Sequence, residues 1–138
     1  MIYLICYSYM ILLHSLLFSL KSPKILFNNT LILNNKIKLP CEFEFKSTVQ
    51  HRGALVLKGG FSDNISSVNS GWKSGKNASE FKFSQPMDND AVSKYTCNVV
   101  NDFISQSHKV LDSHWVNKMR EDNGLLKANI LLTRGASS

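Results

Sequence analysis

Two short stretches of this 138-residue chain combine residue types that could hold an anion. One is His51-Arg52-Gly53-Ala54-Leu55-Val56-Leu57-Lys58-Gly59. The other is Ala128-Asn129-Ile130-Leu131-Leu132-Thr133-Arg134-Gly135-Ala136. Each is an apolar run with an Arg-Gly pair at one end. A guanidinium presents paired N–H donors that match a phosphate or a carboxylate. The glycine beside it lets the backbone turn tightly. Arg134 is therefore the leading candidate for contact with an anionic substrate, Arg52 with His51 is the second, and Lys58 ranks below them. The competing roles are a structural ion pair or hinge contact for Arg134 and a surface ion pair for Arg52.

Other chemistries find less support. Cys6, Cys41 and Cys97 are widely separated, and no Cys-x-x-Cys or mixed Cys/His cluster of zinc-site spacing occurs. They read as buried thiols in a reducing compartment. His108 and His114 read as solvated helix or loop residues, and Trp72 and Trp115 as core or interface anchors. Three Asn-x-Ser/Thr triplets, at Asn28, Asn64 and Asn77, would matter only in a secreted chain. No residue is assigned as a nucleophile or metal ligand. The formal net charge of +6 is uneven, because residues 1–40 contain four lysines and no acid. The basic residues form no run or stripe, and three of the sixteen are arginine. Nucleic acid is not expected as a partner.

The anion-holding candidates need a scaffold. Apolar runs of this length bounded by glycine read as strands covered on both faces. Residues Pro40 to Lys46 alternate, with Cys41, Phe43 and Phe45 on one side and Glu42, Glu44 and Lys46 on the other, as in a half-buried strand near an edge. Residues 61–89 read as a long ordered loop whose aromatic side chains need burial. Ala91 to Leu111 carries an apolar stripe at helical spacing, Val92, Thr96, Val99, Phe103 and Val110, with Asp88 or Asp90 as the cap. Trp115 to Glu121 reads as a shorter helix stopped by Asn123-Gly124. The order strand, strand, loop, helix, short helix, strand is that of an α/β layer: a partial sheet with one long and one short helix.

Residues 2–20 form a nearly unbroken apolar run followed by Lys21 and Lys24. Three readings stand: a bilayer-spanning helix, translated A/T-rich non-coding sequence, and a buried core helix. The run has neither the basic start nor the small-x-small cleavage site of a signal peptide. The chain divides accordingly into a leader over residues 1–37 and an α/β unit over residues 38–138.

Laid end to end, the two Arg-Gly stretches, Phe61-Ser62-Asp63-Asn64-Ile65-Ser66, the helix with Asn101-Asp102-Phe103, and His114-Trp115-Val116-Asn117-Lys118-Met119-Arg120 resemble one family. That family is the archaeal-type, 2,3-bisphosphoglycerate-independent phosphoglycerate mutases. The resemblance covers about residues 38–137 and implies the second half of an α/β domain inserted in a phosphatase-like catalytic domain, within the alkaline phosphatase superfamily. It also implies interconversion of 3-phosphoglycerate and 2-phosphoglycerate through a phosphoserine, with two divalent metals, manganese or magnesium, and a cytoplasmic location. The resemblance places Arg134 where the inserted domain meets the substrate cleft. The family's serine and metal-binding aspartate have no counterpart in residues 1–37. Val68-Asn69-Ser70 stands where members carry a Thr-Asp-Pro-like sequence, and Ser137 replaces a final glycine. The expectation is a fragment or degenerate paralogue, inert alone, whose partners are phosphoglycerate and the missing catalytic domain. The alternative is a small α/β binding domain anchored to a membrane through residues 2–20.

Overall fold

The structure is a computed structural model that describes residues 1–9, 31–48, 52–68, 82–125 and 127–138. Four strands form one antiparallel sheet: β1 (Ile2–Tyr9), β2 (Glu42–Ser47), β3 (Arg52–Lys58) and β4 (Ile130–Ser137), in the order β2-β3-β1-β4. The helices are α1 (residues 31–36), α2 (Ala91–Asp112) and α3 (Trp115–Asp122). The expected α/β layer is thus observed, with α1 added to the one long and one short helix read from the sequence.

The N-terminal run departs from the helical readings. Ile2–Tyr9 is a strand between β3 and β4, and residues 10–30 lie outside the described residues. The physical reason is burial. Ile2 and Leu4 point into the core while Tyr3 between them is half exposed, so a run that is apolar throughout still alternates in burial. Ile2 faces Leu57 and Leu4 faces Leu55 across the ladder, and all four are buried. Among the described residues no helix is long and apolar enough to cross a membrane.

α2 starts where Asp90 accepts a hydrogen bond from the Val92 amide (3.2 Å), which satisfies a donor left free in the first turn. Its buried stripe is Ser93, Thr96, Cys97, Val100, Phe103, Ile104, Ser107 and Leu111, with Val99 beside it. The expected stripe holds at Thr96, Val99 and Phe103 but not at Val92, which is exposed, and it is widened by Ser93 and Ser107, which face inward with their hydroxyls bonded to Ser62 Oγ and Ile104 O. Phe103 meets Phe43 edge-on (5.9 Å, 67°) and lies 6.0 Å from Phe45, which joins helix and sheet. Trp115 does not enter the core. It is 60 % exposed and lies tilted against His114. Trp72 and Phe81 lie outside the described residues.

β2 is a sheet edge, as its alternating pattern requires. β3 is covered on one face only: Gly53, Leu55 and Leu57 are buried, whereas Arg52 and Lys58 are exposed. In β4, Ile130 to Thr133 are buried without alternation, and Arg134 and Gly135 emerge into solvent. The expectation of two covered faces therefore holds for the first half of β4 and fails for β3.

Candidate functional site

The two Arg-Gly pairs use glycine in different ways. Gly53 sits under an aromatic ring: a Cβ there would lie 2.6 Å from Phe45 Cζ and 2.8 Å from Cε2. It is a place of close approach within a strand, not the turn expected from sequence. Gly135 has φ +64°, a backbone conformation that favours glycine. The ladder between β1 and β4 shifts there, with Leu4 opposite Ala136 and Ile5 opposite Arg134, so Gly135 is the extra residue of a β-bulge. A bulge re-aims the neighbouring side chain, and that side chain is Arg134.

Register brings the two arginines together. Arg52 stands opposite Tyr7 on one side of β1, and Arg134 stands opposite Ile5 on the other. Tyr7 and Ile5 are two residues apart, so both arginines occupy the same sheet face, the one turned away from α2. Standard strand spacing puts their Cα atoms roughly 10–12 Å apart, within the span of two guanidinium side chains converging on one small anion. Both are exposed. The Arg134 side chain forms no hydrogen bond or ion pair among the described residues. Lys46 on β2, opposite Ala54 on β3, is exposed on the same face. Its outward alternation with Glu42 and Glu44 was visible in the sequence, but only the register shows that it shares a face with both arginines. Lys58 is engaged with Glu42, which raises its pKa through the hydrogen bond and the carboxylate charge. His51 lies outside the described residues.

The end of β4 is held from one side by the loop 61–68. Val68 N donates to Thr133 O (3.0 Å), and Gly135 N donates to Ser67 Oγ (3.2 Å). Asp63 Oδ2 accepts from Ser138 N (3.2 Å) and Ser138 Oγ (2.8 Å), bonds that hold the Asp63 carboxyl below the usual carboxylate range. The loop is itself fixed to α2 and the segment before it. Ser62 N donates to Thr96 Oγ1 (3.0 Å), Ser66 N to Gln85 O (2.8 Å), Ser84 Oγ to Ser66 O (2.7 Å) and Met87 N to Asn64 O (3.0 Å).

Cys97 is buried, and burial pushes its thiol pKa up; Cys41 is half-buried with a shift in the same direction. Neither is a poised nucleophile. Among the described residues no three His, Cys, Asp or Glu side chains gather in a way that could hold a metal ion. They do not fit the two divalent metals implied by the resemblance.

The fold and this exposed pair of arginines describe an α/β unit that displays cations on the open face of an antiparallel sheet. The family model for 2,3-bisphosphoglycerate-independent phosphoglycerate mutase matches residues 29–117. The enzyme of that name from Methanopyrus kandleri is 38 % identical over 105 residues, covering 75 % of this chain and 24 % of the relative. A second, from Archaeoglobus fulgidus, is 40 % identical over 102 residues, covering 73 % and 24 %. The chain belongs to the 2,3-bisphosphoglycerate-independent phosphoglycerate mutase family. It spans about a quarter of the length of the curated relatives it matches. The cofactor-independent phosphoglycerate mutase from Thermoplasma acidophilum shares the fold, with a TM-score of 0.73 at 22 % identity over 98 % of this chain and 36 % of that one.

Proposed function

We propose that this chain supplies an anion-recognition surface of a phosphoglycerate mutase and performs no chemistry alone. The substrate class is a small phosphorylated carboxylate, phosphoglycerate, with Arg134 and Arg52 as its ligands and His51 beside Arg52. The observation that carries this reading is the Arg134 guanidinium, exposed, without a partner among the described residues, and aimed by the Gly135 bulge. A guanidinium already tied to a carboxylate would have to break that pair to bind substrate; this one does not.

Conversion of 3-phosphoglycerate to 2-phosphoglycerate needs a nucleophile and two divalent metals, manganese or magnesium, which this reading assigns to a separate catalytic domain. That domain and phosphoglycerate are the proposed partners, and the cytoplasm the proposed setting. Support comes from the family membership and from the fraction of each relative that the chain spans.

The test is a titration of the isotopically labelled chain with 3-phosphoglycerate, followed by amide shifts. The reading expects shifts concentrated at Arg134–Ser137 and Arg52. Shifts spread over the lysines, or none at millimolar ligand, would refute it. In parallel, an enolase-coupled assay with manganese should give no turnover, and robust turnover would refute the claim that the chain is inert.

A further inference from the structure

The stretch Phe61–Ser66 stands out in the sequence but joins no strand of the sheet. The structure shows what it touches. Loop 61–68 grips the outgoing end of β4 at three successive places on the backbone around Arg134: Thr133 O, Gly135 N and Ser138 N. Two of these grips flank Arg134 directly. The bonds span 65 to 75 residues of sequence, so they are tertiary contacts and not local turns.

The grip is rigid at its other end. Ser62 is tied to Thr96 and Ser93, both fully buried in α2. Asn64 bonds Asp88 through its side-chain amide (2.5 Å), and Asp88 in turn accepts from the Asp90 amide at the start of α2 (3.0 Å). Ser66 is locked to Gln85 in both directions. A bulge with a left-handed glycine has no ladder partner to hold it, so something outside the ladder must fix its direction. Ser67 Oγ supplies a partner for the Gly135 amide, and Asp63 secures the chain three residues further on.

We propose that Ser67 and Asp63 are positioning residues for Arg134: they fix the bulge so that the guanidinium projects from one place on the sheet face. This rests on the reading of Arg134 as an anion ligand. Neither residue touches the anion. Their part is to reduce the freedom that Arg134 would otherwise lose on binding.

The experiment is a double-mutant cycle on the full chain, with 3-phosphoglycerate as the probe and calorimetry or amide shifts as the readout. Ser67→Ala and Asp63→Ala should each weaken binding about fivefold, the size of one net hydrogen bond. Arg134 Nε–H relaxation should show a looser side chain in both. Ser67→Thr should restore affinity and order. In an Arg134→Ala background, neither substitution should weaken binding further, whereas a merely structural role would. If Arg134→Ala loses affinity while Ser67→Ala and Asp63→Ala bind like wild type, the positioning role is wrong and the anion site stands. If both lower affinity equally with and without Arg134, the positioning role is again wrong. If Arg134→Ala binds like wild type, the site and the positioning role fall together.

Discussion

Asn117 on α3 closes a two-bond clamp on Ala128, the residue that leads into β4. Its Nδ2 donates to Ala128 O (3.1 Å), and Ala128 N donates to its Oδ1 (2.8 Å). The same arrangement recurs three times among the described residues. Asn34 clamps Phe45 (2.7 and 2.8 Å), Asn101 clamps Ser84 (3.0 and 2.9 Å), and Gln106 clamps Lys38 (2.8 and 3.0 Å). A carboxamide carries both a donor and an acceptor and so replaces a neighbouring peptide. Each clamp satisfies backbone groups that sheet pairing does not reach. The one on Phe45 also blocks part of the open edge of β2, where unpaired groups would invite another strand.

The clamps predict an asymmetry between amide and acid. Asn117 is 3 % exposed, and its Nδ2 also serves Leu111 O (2.7 Å). Asn117→Asp removes a donor shared by the buried Leu111 carbonyl and the part-buried Ala128 carbonyl and places a carboxylate beside them. The expected loss is about 2–3 kcal/mol in urea unfolding. Gln106→Glu, at a more exposed clamp, should cost less than about 1 kcal/mol. Equal losses at the two sites would contradict this account.

The two glycines should fail for different reasons. Gly53→Ala forces a methyl against the Phe45 ring and should cost about 1–3 kcal/mol. Phe45→Leu should recover part of that loss in a double-mutant cycle. Gly135→Ala meets no atom within 4 Å, yet requires alanine at φ +64°. It should cost about 1–2 kcal/mol, and Phe45→Leu should leave that loss unchanged. Matched responses to Phe45→Leu at both positions would refute the distinction.

His114 caps α3 as an acceptor, receiving the Val116 amide at its Nδ1 (3.4 Å), which requires a neutral ring. Burial, and then the charge of Lys36, hold its pKa below the ordinary histidine value. The folded state therefore binds this proton less readily than the unfolded chain. Stability from this group is complete above the ordinary histidine pKa, about 6.5, and is lost as pH falls from there through the lower folded pKa. Thermal unfolding at pH 7.5 and pH 5 should show a drop that shrinks in His114→Ser, because a serine cap does not titrate in this range. An unchanged drop in the variant would assign it to other groups.

Much of this was readable from residue order alone. The edge strand β2, the long helix and its Asp90 cap, and the Asn123-Gly124 stop each follow from local pattern, and the structure places them within a residue or two. β1 was not readable, because an unbroken apolar run has no period to separate a central strand from a buried helix. The Arg-Gly pairs flagged Arg52 and Arg134, but not that one glycine avoids a ring and the other forms a bulge. Lys46 and Ser67 were silent, and Asp63 showed only as one letter of the Phe61–Ser66 stretch, for a common reason. Their roles depend on register or on bonds between distant parts of the chain, and polar residues at such positions look like ordinary surface.

The central claim is that Arg134 is an open anion ligand on the sheet face. Calorimetric titration of wild type, Arg134→Lys and Arg134→Ala with 3-phosphoglycerate at one fixed ionic strength tests it most directly. Loss of a charge-assisted, paired contact corresponds to about 10–100-fold in affinity. The account predicts a loss of that size for Arg134→Ala and a partial loss for Arg134→Lys, which keeps the charge without the fork. Affinities equal across all three proteins would contradict it.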